Sequence, residues 1–148
     1  GRPEVKAKVR QLQLQASQRR MLEDVPKADV VITNPTHFSV ALKYDQDRSS
    51  APMVVAKGAD LIALKIRSIA MESNVPIFEE PPLARAIYGT TEIGDEIPAP
   101  LFLAVARVLA YVFQVARTQS PNRVPRPEPT PLPMDFQKYN KEGELNGL

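Results

Sequence analysis

"VVITNPTHFSVAL", residues 30–42, sets two apolar, β-branched runs on either side of Asn34-Pro35-Thr36-His37. Val30, Val31 and Ile32 read as a short buried strand. Phe38, Val40, Leu42 and Tyr44 alternate with Ser39, Ala41 and Lys43 as a second strand should. Strands this close in sequence pair antiparallel, so the tetrad is their turn. A hairpin can turn with simpler residues, yet this one uses an Asn-Pro bond beside the chain's single histidine.

Working outward, "DQDRSSAP" is a loop and "MVVAKG" a third strand ending in Gly58, most simply a strand-to-helix turn that needs glycine. Residues 59–73 carry Ile62, Ile66, Ile69 and Ala70 on one helical face, and "VPIFEE" is a fourth strand. "PPLARAIYG" reads as a short helix with proline at its start and glycine after its end. In residues 97–117, Leu101, Val105, Val108, Leu109, Val112, Phe113 and Ala116 form a broad stripe, interrupted by Arg107 and Gln114, which reads as a core helix. The order predicts an α/β domain: a small mixed four-stranded sheet packed by about three helices. The third strand, its helix and the fourth strand make a right-handed crossover if those strands are parallel.

Two flanking regions differ. Residues 3–24 open with proline and place Val5, Val9, Leu12 and Ala16 at helical spacing, but the remainder is mostly Lys, Arg and Gln. So thin a stripe predicts a long, largely solvated N-terminal linker helix. Beyond residue 117, "TQSPNRVPRPEPTPLP" holds six of the 15 prolines and almost no apolar periodicity. That composition predicts a disordered tail. The expected divisions are 1–28 linker, 29–118 folded domain and 119–148 tail.

Composition narrows the function. The 148 residues suffice for one core. With no cysteine, disulfide scaffolds and thiolate metal sites are excluded. Nineteen basic against 17 acidic residues leave +2, too little to demand a polyanionic partner. No run approaches the roughly 20 uninterrupted apolar residues of a membrane span, and "GRPEVKAKVR" lacks the apolar region of a signal peptide. The chain as it stands reads as soluble, with an abrupt charged start that leads us to expect more chain upstream.

The turn carries the chemistry. Proline holds Asn34 extended and has no N–H, which blocks the usual attack of the following backbone nitrogen on the asparagine side chain. The reverse attack remains open: the Asn34 side-chain nitrogen on its own main-chain carbonyl, closing a succinimide and expelling the nitrogen of Pro35. Oriented intramolecular reactions gain up to about 7–11 kcal/mol from proximity. The nucleophile must lose a proton and the leaving nitrogen gain one, a shuttle suited to His37. Thr36 either orients one of these groups or supplies a turn hydrogen bond and nothing more. Asn-Pro alone is an ordinary turn dipeptide, but the whole tetrad should arise by chance in well under about one in a hundred chains of this length.

With these residues the sequence resembles the cytoplasmic domain of the FlhB/YscU family, the export-switch proteins of flagellar and virulence type III secretion. "NPTH" at 34–37 is that family's signature, and "VAKG" at 55–58, "PLARAIY" at 82–88 and "EIP" at 96–98 agree. The likeness covers roughly residues 1–117, and the proline-rich tail is closer to flagellar members. It implies preceding membrane helices, placing this chain on the cytoplasmic side of a bacterial inner membrane. It also implies autocleavage between Asn34 and Pro35, and a switch from rod- and hook-type to filament-type substrates. The implied partners are those substrates, a hook-length ruler protein, other export-gate membrane proteins and the export ATPase complex.

Within "PLARAIY", Arg85 and Tyr88 are either packing residues or a partner-binding pair. Arg19-Arg20 and the basic first helix suit anionic lipid; nucleic acid is not expected, there being no RNA-reading aromatic motif. No cofactor or metal is expected. The competing reading is a stand-alone hydrolase, or a binding domain in which the Asn-Pro turn is only structural. The hydrolase lacks a serine or cysteine nucleophile near His37 and a metal-ligand cluster, and it would show multiple turnover where a self-cleaver acts once.

Overall fold

The computed structural model describes residues 1–45, 47 and 50–137. Strands β1 (Val30–Asn34), β2 (Phe38–Lys43), β3 (Met53–Ala59) and β4 (Ile77–Glu79) form one mixed sheet in the order β3-β2-β1-β4. Helices α1 (Pro3–Glu23), α2 (Asp60–Glu72), α3 (Pro81–Thr90) and α4 (Phe102–Arg117) complete the described framework.

The expected hairpin is present: β1 and β2 are antiparallel, with Val30 opposite Leu42 and Asn34 opposite Phe38. β1 runs two residues past the apolar run, so Asn34 ends the strand instead of lying inside the turn. On its other side β1 pairs parallel with β4, Ile32 opposite Phe78. This makes β1 an interior strand with Val30, Val31 and Ile32 all fully enclosed. β3 and β4 point the same way, yet they lie at opposite edges, and α2 crosses β2 and β1 to join them.

Alternation along the strands sends side chains to two cores. Val31, Ala41, Ala56, Ile66 and Ala70 pack with Met21, Val25 and Val75 on the α2 face. Val30, Ile32, Val40, Leu42 and Phe78 pack with Leu83, Ile87, Val105 and Val108 from α3 and α4 on the other. The span Ala99–Arg117 is long and apolar enough to cross a membrane by length and composition. Here its Ala104, Val105, Val108, Leu109 and Val112 face the core. The outer edge of β3 is covered by the segment that runs through Asp95 into "EIP", with the Val54 N–H donating to the Asp95 carbonyl at 3.0 Å and the Ile97 N–H to the Pro52 carbonyl at 2.9 Å.

Two boundaries depart from sequence expectation. Gly89 does not stop α3, which continues to Thr90; the Thr90 hydroxyl donates back to the Ala86 carbonyl at 2.7 Å. The fourth strand is only Ile77–Glu79, because Glu80 turns the chain into α3.

α1 is exposed along most of its length, with Val5, Val9 and Leu12 about half exposed and only Met21 buried. The proline-rich segment has anchors on the domain over its described part. Leu132 is 7% exposed within the α3/α4 core. The Arg126 guanidinium lies 3.9 Å from the Phe78 ring centroid and donates to the Glu79 carbonyl at 2.6 Å. Prolines already fixed in φ lose little entropy on ordering, so a few anchors suffice to dock an extended strap. The last part of the expected tail, residues 138–148, lies outside the described residues.

Candidate functional site

Strand pairing presents Asn34-Pro35-Thr36-His37 at one end of the sheet. Asn34 is 7% exposed, Pro35 and His37 are half-buried, and Thr36 is exposed. The His37 N–H donates to the Asn34 carbonyl at 2.9 Å, closing the turn. Proline at its second position and a φ of 69° at Thr36 make it type II.

Type II turns ask for glycine or asparagine where Thr36 stands. A β-branched residue in the left-handed region is a genuine outlier, and such strain costs about 1–3 kcal/mol. The turn's own hydrogen bond contributes only about 0.5–1.5 kcal/mol net. Something outside the turn must therefore hold it. Upstream, the Glu80 N–H donates to the Thr33 carbonyl at 3.0 Å. Downstream, the Asp60 N–H donates to the His37 carbonyl at 2.9 Å.

The bond that closes the turn has a chemical consequence, for the Asn34 carbonyl is the group its side chain would attack. A backbone N–H already aimed at that oxygen polarises it and would stabilise the oxyanion formed on attack. Neither the Asn34 amide nor the His37 imidazole is tied up in a side-chain hydrogen bond among the described residues; the imidazole lies near Phe38, ring centroids 6.5 Å apart.

Of the other two singled-out residues, Tyr88 belongs to this neighbourhood. Its ring packs on Phe38 with centroids 4.4 Å apart. Lys57 sits 4.9 Å from the Tyr88 ring centroid, donates to the Tyr88 carbonyl at 2.9 Å and approaches Glu92 at 3.7 Å. Arg85 is instead half-buried beside a cavity of about 350 Å³ between α3 and the strap, lined also by Glu80, Pro82, Thr130 and Leu132. Burial pushes the Glu80 carboxyl above its ordinary range, opposed by the positive charge of Arg126. Sequence reading passed over Asp60 and Glu80, since their contributions here come from backbone N–H groups that side-chain patterns do not reveal.

Fold and site together define an α/β domain built around a clamped, strained Asn-Pro hairpin. Residues 1–112 match the family model described as FlhB HrpN YscU SpaS Family. The flagellar biosynthetic protein FlhB of Salmonella typhimurium is 59% identical over 148 residues, covering 97% of this chain and 39% of the relative. That of Bacillus subtilis is 51% identical over 114 residues, covering 77% of this chain and 32% of the relative. The crystal structure of the cytoplasmic domain of FlhB from Shewanella putrefaciens superposes with a TM-score of 0.76 at 50% identity, covering 84% of this chain and 96% of that one. A mutated EscU C-terminal domain gives 0.60 at 29% identity, over 62% of this chain and 92% of that one. The chain belongs to the FlhB HrpN YscU SpaS family. It spans about two-fifths or less of the length of these curated relatives.

Proposed function

We propose that this chain is the cytoplasmic part of a flagellar type III export component that cuts itself once between Asn34 and Pro35, and that the cut changes which class of protein is exported. The observation that carries the cleavage is the clamped type II turn, with the His37 N–H 2.9 Å from the oxygen of the bond to be broken. The Asn34 Nδ2 attacks the Asn34 carbonyl carbon, and the charge gathering on oxygen is met by that N–H. The proton leaving Nδ2 passes through the His37 imidazole or water to the nitrogen of Pro35. The carbon–nitrogen bond then breaks, leaving a succinimide at Asn34 and a secondary amine at Pro35. Loss of the strained Thr36 geometry favours the product. Because nucleophile and substrate are one residue, each molecule reacts once.

Family membership supports placing the domain at the cytoplasmic face of a bacterial inner membrane, below helices that precede it. The partners proposed are rod, hook and filament proteins, the ruler protein, neighbouring gate proteins and the export ATPase complex. Anionic lipid fits the exposed basic run of Lys6, Lys8, Arg10, Arg19 and Arg20 on α1, with Arg2 just before it.

The test is intact mass under denaturing conditions. Purified protein should resolve into pieces of 34 and 114 residues. Asn34→Ala should stay whole, and His37→Ala should cut more slowly. A wild-type chain that remains whole for days at neutral pH refutes self-cleavage. In cells, normal filament export from a demonstrably uncut Asn34→Ala protein would break the link between cut and switch.

A further inference from the structure

The chain passes from β3 into α2 through an unusual residue. Ala59 is extended, but Asp60 has a φ of 51°, in the left-handed region. Aspartate and asparagine tolerate that region and glycine enters it freely, whereas β-branched residues do not. The consequence is directional. At the start of a helix the first N–H groups have no partner inside the helix; that of Asp60, still oriented by extended Ala59, continues the β2–β3 ladder onto the His37 carbonyl, 2.9 Å away, and the left-handed step then turns the chain at once into α2.

Two further contacts make this a fixed anchor. The Ser39 hydroxyl, fully buried, donates to the Ala63 carbonyl at 2.9 Å, tying the first turn of α2 to β2. At Gly58 a Cβ would run into the Ile62 side chain, so helix and strand meet more closely there than any larger residue allows. Both contacts hold the first turn of α2 against the ends of β2 and β3.

We propose that Asp60 is a positioning residue for the self-cleavage. Its left-handed backbone lets the last β2–β3 ladder bond persist while the chain turns into the anchored α2, so that His37 is pinned from the downstream side and its N–H stays on the oxygen of the scissile bond. The role rests on the cleavage reading given above. Thr36 is strained, and the single hydrogen bond across the turn does not match that strain. Released at His37, the turn would relax and carry the oxyanion donor away from the Asn34 carbonyl. The role belongs to the backbone of Asp60, not to its carboxylate.

The experiment follows cleavage after pulse-labelled cell-free synthesis, reading the fraction cut by denaturing mass analysis for wild type, Asp60→Val, Asp60→Gly, Asp60→Asn and Asn34→Ala. Asp60→Val should cut at least about tenfold more slowly, short of the roughly 10²–10³ that outright removal of an oxyanion donor costs. Glycine and asparagine, which accept the left-handed backbone, should restore the rate to within about threefold of wild type. Val cutting at the wild-type rate overturns the proposal. So does slowing in Gly and Asn equal to that in Val, since the carboxylate would then be the active part. Amide exchange in the uncut Asn34→Ala chain covers the case in which Val does not fold. There the residue-60 N–H should exchange slowly with either Asp or Gly at that position, and fast exchange overturns the pin. Wild type that never cuts, like Asn34→Ala, refutes the cleavage reading itself, a result distinct from wild type cutting with Val unimpaired.

Discussion

Cutting the Asn34–Pro35 bond should leave the domain assembled. The N-terminal piece carries Val25, Val30, Val31 and Ile32, all with no exposed surface. Burial of such side chains stabilises by about 1.5–3 kcal/mol each, so the four contribute roughly 6–12 kcal/mol before ordering costs. β1 also pairs with β2 on one side and β4 on the other. To leave, it must break both ladders and open both cores at once. Native gel filtration of fully cut protein should therefore give one peak, which denaturing mass analysis resolves into two pieces. Ile32→Ala sharpens the test, since truncating a buried isoleucine costs about 2–5 kcal/mol. In the uncut chain it should lower the urea midpoint; in the cut chain it should release the N-terminal piece at denaturant concentrations that wild type withstands. Separation of the wild-type pieces without denaturant, or an unchanged midpoint for Ile32→Ala, would refute the interior position of β1.

Ending the chain at Arg117 should lower Tm by roughly 2–8 °C, the equivalent of about 1 kcal/mol in a domain of this size, because it removes buried Leu132 and the Arg126 stack on Phe78. An unchanged melting curve would mean the strap contributes nothing. Gly58→Ala should cost about 1–3 kcal/mol of overpacking, since Ile62 Cβ itself stands 2.8 Å from the added atom and α2 must shift; urea unfolding of the Asn34→Ala,Gly58→Ala double variant against Asn34→Ala measures it without interference from the cut. Glu80 should make stability fall as pH rises. Its folded pKa lies above the ordinary 4.5, so the folded state holds its proton more tightly than the unfolded chain, and that contribution is lost as pH climbs from about 4.5 through the raised value. Glu80→Gln should flatten this dependence in urea midpoints taken between pH 4 and 7, and an identical slope would show that Glu80 does not cause it.

The hairpin was legible in residues 30–42 because it is local. Apolar, β-branched runs mark two strands buried on both faces, proline restricts its neighbour, and spacing alone puts His37 three residues from Asn34. The helical faces of α2 and α4 follow from the same short-range periodicity. The proline-rich segment was harder to read, because Leu132 and Arg126 are single anchors with no periodic signal, and what they pack on, such as Phe78 and Glu79 of β4 beneath Arg126, lies far away in sequence.

What the sequence by itself determined is thus the set of elements and the Asn-Pro turn between the first two strands. The tertiary structure alone decided that β4 lies beside β1 rather than β3, that Thr36 is held at a φ of 69°, and that the backbone of Asp60 closes on His37. The physical reason is that strand order and clamping come from burying two faces of one sheet together. Residues distant in the chain meet only when both cores close, and the energy that closes them is what can hold a strained turn in place.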